Sequence, residues 1–242
     1  MSGLELRVFP TVADTMKACA TAMAEALREA KEPQVVLAGG QTPRAVYVIL
    51  ATAGEESAAP HWHDAEYWFG DERCVGPDHP KSNYRLAQET LLKPLGIAAG
   101  RVHRMLGELG GEEGARRYHD RLLERLGQQP PFTLALVGMG PEGHTLSLFP
   151  GCPGLAAADL AIAAYVPTPP RERISLTPAA LSGTARIFFL VTGAAKRRAL
   201  HAALAAEAPD PRIPTSFLRG RLETVVFCDR EAVSDESTEV VS

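Results

Sequence analysis

Phe132-Thr133-Leu134-Ala135-Leu136-Val137 runs straight into Gly138-Met139-Gly140-Pro141-Glu142-Gly143-His144-Thr145. The first six residues form the most strongly apolar strand-like run in the chain, too short for a helix and closed by glycine. A continuous apolar run, rather than an alternating one, marks a strand buried on both faces, as in a parallel sheet. Working outward, similar runs lie at Gln34–Ala38, Glu66–Gly70, 160–166, Arg186–Val191 and Glu223–Cys228. Between them stand stretches with helical periodicity. One covers residues 11–31, with Thr11 as N-cap and Pro33 beyond its end, and another runs from Pro43 to about Ala51. Others run from Ser82 to Leu92, Glu112 to Leu126 and Ala194 to Ala206, and 52–63 reads as a loop. Strands alternating with helices predict an α/β fold: a Rossmann-like, mostly parallel sheet with helices on both faces. No repeat or linker divides the chain, so one domain is expected over 1–229, followed by an acidic, serine-containing tail at 230–242 expected to fray.

A chain of 242 residues, 45% hydrophobic and 22% charged, can bury one large core. Its formal net charge of −4 gives no electrostatic case for nucleic acid or an anionic membrane surface. The basic clusters Arg116-Arg117 and Lys196-Arg197-Arg198 fall in helical stretches, and most of these residues read as solvated faces. The four cysteines, at 19, 74, 152 and 228, show no C-x-x-C spacing, which argues against a zinc ribbon or a redox motif. The N-terminus shows no secretory signal, and no apolar run approaches the ~20 residues that span a bilayer. The expected location is the cytoplasm, and the expected state is a monomer or weak homo-oligomer.

In open α/β sheets, ligands bind outside the carboxyl ends of the strands. Four segments in such positions are unusual. Gly39-Gly40-Gln41-Thr42-Pro43 lets the backbone turn tightly, with Thr42 as a helix cap and Pro43 in the first turn, so that free amides face an anion such as phosphate. The same strand–Gly–helix turn also occurs for structural reasons alone. Asp71-Glu72-Arg73, continuing to His79 and Asn83, places three charges after a buried strand, where they must pair or meet a ligand. Arg73 has the planar fork suited to phosphate or to a developing oxyanion. His144, framed by glycines, has an imidazole suited to general-base work near neutral pH, with Glu142 placed to orient or tune it. Arg173, in Arg173-Ile174-Ser175-Leu176-Thr177, and Lys196, after Gly193, are further phosphate candidates. A cation in the first turn of a helix opposes the helix dipole, and an anionic ligand would relieve that conflict.

Other features read as bland. His61-Trp62-His63-Asp64 lacks a third ligand for a metal, and Cys74 has no partnered base. There is no G-x-S-x-G elbow, no G-x-G-x-x-G fingerprint and no Walker loop, which weakens serine-hydrolase, dehydrogenase and kinase readings.

The four segments, in this order, resemble the 6-phosphogluconolactonase family. LAGGQTP resembles its S-G-G-S-T-P loop, GDERCVGPDHPKSNY its D-E-R-x-V-P…H-x-x-S-N segment, and GMGPEGHTLSLFPG its G-x-G-x-D-G-H-T-x-S-L-F-P signature. RISLTPAALSGTARIFFLVTGAAK is similar to its later block, so the match runs from about 34 to 228. The resemblance implies the fold of glucosamine-6-phosphate deaminase and, more distantly, of ribose-5-phosphate isomerase. It also implies hydrolysis of 6-phospho-D-glucono-1,5-lactone, with a sugar phosphate as sole partner and with neither metal nor organic cofactor. The resemblance implies that His144 is the general base, and with the residues read above the expected catalytic set is His144, Arg73, Glu142 and Asp71. The expected substrate-binding set, from the four segments, is Gly39, Gly40, Gln41, Thr42, His79, Asn83, Arg173 and Lys196. Gln41, Glu142 and Gly76 depart from the pattern, standing where Ser, Asp and Pro are usual. The rival on the same fold is the deaminase, whose motifs read D-E-Y and G-H-I-A-F-N-E-P. Here Arg73 holds the tyrosine position and Phe149 that of the glutamate, an acid/base group that isomerisation needs and phenylalanine cannot supply. A sugar-phosphate sensor would carry a helix-turn-helix segment, and this chain enters its α/β pattern almost at once.

Overall fold

The computed structural model describes residues 4–54 and 62–234, and every apolar run named above forms a strand. In chain order the elements are β1 (Leu4–Phe9), α1 (Val12–Arg28), β2 (Gln34–Leu37), α2 (Gln41–Gly54), β3 (Glu66–Phe69), β4 (Asp71–Arg73), α3 (Asn83–Ala87), α4 (Gly111–Leu126) and β5 (Leu134–Gly138). There follow β6 (Ala161–Tyr165), β7 (Glu172–Leu176), α5 (Pro178–Leu181), β8 (Arg186–Val191), α6 (Arg197–Ala205), β9 (Glu223–Asp229) and α7 (Arg230–Val233).

Six strands form one sheet in the order β1-β9-β8-β5-β2-β3, and every pairing in it is parallel. From β2 the chain steps outward to β3, whereas β5, β8 and β9 build the other side. The order therefore reverses between β2 and β5, where a crevice opens beyond the strand ends. Helix α1 shows why these residues coil. Thr11 caps it by accepting the Asp14 amide, and Met16, Cys19, Ala20, Met23 and Leu27 recur at helical spacing on its buried face. That face packs on β5, β8 and β9 and against α2. Burying each Leu or Met there contributes about 1.5–3 kcal/mol.

The structure adds a second sheet that the periodicity did not suggest. Strands β4, β7 and β6 pair antiparallel in that order, so 160–166 is a strand as expected but lies outside the parallel sheet. The transfer happens at Gly70, whose amide still donates to Leu37 of β2 while its carbonyl accepts from Leu176 of β7. Strand β1, unassigned in the sequence, pairs along β9 at the sheet edge. At the other end, α7 extends ordered structure past the expected boundary at Asp229, because the Asp229 carboxylate caps it through the Ala232 amide. The rest of the expected tail, 235–242, lies outside the described residues, as do 55–61 of the expected loop, whose start is helical through Gly54.

Candidate active site

A cleft of about 230 Å³ opens at the carboxyl ends of β2, β5 and β8. Its walls carry Gly39 to Pro43, Asp71, Arg73, Asn83, His144 and Lys196, so the segments singled out in the sequence converge.

His144 is set by the turn that follows β5. The Gly140 amide donates to the His144 carbonyl at 2.8 Å, and Gly143, at φ 89°, lets the chain close. A Cβ on Gly140 would stand 2.0 Å from His144 Nδ1, so only glycine leaves room for this imidazole. One face of the ring stacks on Phe149, with centroids 4.2 Å apart and planes 16° from parallel. Nδ1 lies 3.1 Å from Glu142 Oε1, an ion-pair distance without the alignment of a good hydrogen bond. This leaves Nε2 as the nitrogen free to meet a water. Burial acts to raise the Glu142 carboxyl, but its own amide, His144 and Lys196 together hold it below the usual glutamate value. Glu142 therefore stays anionic beside the imidazole.

Strand β4 divides its three charges by alternation. Asp71 and Arg73 line the cleft, while Glu72 turns away and is 2% exposed. The Glu72 carboxylate accepts from the amides of Arg73, Asn83 and Tyr84 and from the Ser82 hydroxyl, all within 2.9 Å. It is thus a structural hub that ties β4 to the start of α3. Asp71 accepts from Ser147 Oγ at 2.7 Å and from Asn83 Nδ2 at 3.1 Å. Asn83 fits because Gly39 has no side chain: a Cβ there would lie 1.9 Å from Asn83 Oδ1.

Arg73 is tethered by Nη1 to the Lys81 carbonyl at 2.6 Å, and its buried Nε has no partner. Directly across the antiparallel ladder stands Arg173, 6% exposed, its Nε likewise unpaired. Burial and the charge of Arg73 push Arg173 down from its ordinary value. Like charges in cross-strand register repel, and Asp71 and Glu72, on the same strand as Arg73, offset part of that repulsion.

On the opposite wall, α2 begins at Gln41, one residue ahead of the expected Thr42 cap, and Thr42 and Pro43 fall inside its first turn. Gly40, at φ 107°, makes the approach, and the first-turn amides are free of intrahelical partners. Lys196 closes a short 3-10 turn, Ala194–Lys196, which leads into α6 rather than forming its first turn. Burial lowers Lys196, and Glu142 pulls it partly back.

Three predicted residues do not line the cleft: His79, Arg173 and Glu142, the last of which stands behind His144 at its Nδ1 side. His79 is exposed, and its Nδ1 accepts the Lys81 amide, so it shapes the turn whose carbonyl holds Arg73. Arg173 lies behind Arg73 and does not line the opening. Conversely, Leu146, Ser147 and Thr192 belong to the site and escaped the sequence reading. Thr192 directly follows β8 and could have been found by the strand-end rule; Ser147 falls on the serine of the His144 signature, whereas Leu146 holds a position that the signature leaves open. Among the described residues no group of three His, Cys, Asp or Glu could hold a metal. Trp62 is core at 3% exposure, and His61 lies outside the described residues. Burial pushes the Cys74 thiol up to about 12, which removes it as a thiolate nucleophile near neutral pH.

The model of the family described as glucosamine-6-phosphate isomerases/6-phosphogluconolactonase matches residues 10–227. The chain belongs to this family. A relative named 6-phosphogluconolactonase from Synechocystis sp. is 32% identical over 217 residues, covering 88% of each chain. The crystal structure of a Thermotoga maritima 6-phosphogluconolactonase superposes with a TM-score of 0.78 at 31% identity, over 95% of this chain and all of that one. A monomeric glucosamine-6-phosphate deaminase shares the fold, with a TM-score of 0.82 at 19% identity over 94% of this chain and 98% of its own. Both branches of the family are thus built on one architecture, and the residues in the cleft must decide between their chemistries.

Proposed function

We propose that the chain hydrolyses 6-phospho-D-glucono-1,5-lactone to 6-phospho-D-gluconate, the second step of the oxidative pentose phosphate pathway. Relatives of similar length carry the 6-phosphogluconolactonase name. The observation that carries the choice is the stacking of His144 on Phe149. Phe149 fills the position where the deaminase motif has its glutamate, so the imidazole has an apolar neighbour instead of a second acid. One base suffices for ester hydrolysis, whereas ring opening with isomerisation needs a further proton donor.

The free amides of Gly40, Gln41 and Thr42 bind the 6-phosphate together with Lys196; Pro43 has no N–H to give. Arg173 contributes through its field and through Arg73 rather than by contact. His144 takes a proton from water at Nε2, and the oxygen attacks C1 of the lactone. Arg73 or nearby amides stabilise the tetrahedral oxyanion, and Glu142 stabilises the imidazolium. The C1–ring-oxygen bond then breaks, the ring oxygen receives the proton from His144, and the new carboxylic acid ionises in water. Asp71, held by Ser147 and Asn83, is placed to accept hydrogen bonds from sugar hydroxyls. The reading extends to a monomer or weak homo-oligomer located in the cytoplasm.

The test is turnover of freshly generated lactone by the protein and by His144→Ala, with product binding followed separately. The variant is expected to lose ~10²–10⁴ in kcat while still binding 6-phosphogluconate. Undiminished turnover by the variant would remove His144 from the role.

A further inference from the structure

Leu146 is the one non-glycine residue among the described residues with its backbone in the left-handed region, at φ 54°. It follows His144 by two positions, at the tip of a tight turn closed by paired hydrogen bonds between Thr145 and Leu148. Such a position is ordinarily given to Gly, Asn or Asp, because a branched side chain there crowds the backbone. The turn cannot relax, since the next residue is fastened on two sides: Ser147 Oγ donates to Asp71 and the Ser147 amide to Ser175 Oγ. A leucine held in a costly conformation beside a catalytic group points to a use for its side chain.

The geometry of the cleft indicates that use. One methyl, Cδ2, rests against Gly70, where an added Cβ would meet it at 2.7 Å. The rest of the side chain faces the opening, and Leu146 is half-buried. The other apolar side chains of the lining offer little surface: Ala38, Met139 and Leu190 are exposed by 7%, 6% and 4%, and Pro43 is buried. Leu146 is therefore the least buried apolar side chain in a cleft whose other surface comes mainly from charged and polar groups and glycine.

We propose that Leu146 is a specificity-determining residue, the platform on which the C–H face of a six-membered sugar-phosphate lactone packs during hydrolysis. This rests on the lactonase reading above and adds to it the apolar half of ring recognition. A sugar ring presents C–H bonds as well as hydroxyls. Contact with Leu146 would orient C1 toward the His144 water while the phosphate is anchored at the α2 end.

Leu146→Gly and Leu146→Asn both tolerate positive φ, so they delete the apolar surface without adding strain. With folding confirmed by thermal melting, each is expected to raise the KM for the lactone about tenfold, a modest share of a leucine's apolar contact, with kcat changed less than about threefold. Competitive inhibition by inorganic phosphate should not change, because the anion site is untouched. Leu146→Met should restore most of the KM. An unchanged KM in the folded Gly and Asn variants would overturn the platform. So would a loss confined to kcat, which would mean that the turn merely positions His144, or a Met variant as weak as Gly. Failure of the unmodified protein to hydrolyse the lactone would instead overturn the reading on which the platform rests.

Discussion

Gly140 has no side chain because His144 Nδ1 occupies the space that one would need. Gly140→Ala is accordingly expected to dislodge the imidazole and lower kcat by about a hundredfold, the low end of what a general base contributes, with KM within about threefold. Steady-state kinetics on the folded variant checks this, and wild-type kcat would show that the ring tolerates displacement. Lys196→Ala should divide the other way, raising KM about tenfold at similar kcat, if Lys196 holds the phosphate in ground and transition states alike. At this scale the sequence disclosed His144, Asp71, Arg73 and Lys196, because glycine-framed or charged residues after apolar strands stand out. It could not disclose Leu146 or Ser147. Both stand in the quoted His144 segment, but their part depends on a left-handed backbone and on a contact with Asp71, 76 positions away in the chain, which that segment does not show.

The element that carries the site is β4, three residues long and composed wholly of charged side chains. Periodicity reads no strand there, since its pairing with β7 is decided by long-range register and by the buried Glu72 hub. β6 was legible as a strand but not as a member of the antiparallel sheet, because parallel and antiparallel strands of such length have similar composition. Glu72→Ala would leave four donors without their acceptor and is expected to cost about 3 kcal/mol or more. For a chain of this size that is roughly a 6–12 °C fall in Tm, measurable by calorimetry. A shift under about 2 °C would show that water or rearrangement satisfies those donors.

Across the whole molecule, strand–helix alternation was enough to predict the α/β class, while the strand order, with β1 and β3 at the edges, had to come from the structure. Stability should also respond to pH through a group far from the cleft. His103, 6% exposed, stacks on Trp68 at 4.0 Å and meets Glu66 at 2.9 Å. Burial holds its folded pKa below the ordinary 6.5, although Glu66 opposes the shift. A histidine with a depressed folded pKa is stabilising as the neutral form. That contribution is complete above 6.5 and is lost as pH falls from 6.5 toward the folded value, because the unfolded chain takes the proton first. Melting curves should therefore show Tm declining over that window, with a flatter decline for His103→Gln; parallel curves would place the pH sensitivity elsewhere.

In the proposed function the cleft joins a phosphate anchor at the start of α2 to a water-activating His144. The most direct measurement compares kcat/KM for freshly generated 6-phosphogluconolactone with that for unphosphorylated gluconolactone. A preference for the phosphorylated lactone of at least about a hundredfold is expected, since two charge-assisted hydrogen bonds to phosphate supply more than that. Equal kcat/KM on the two lactones would contradict it.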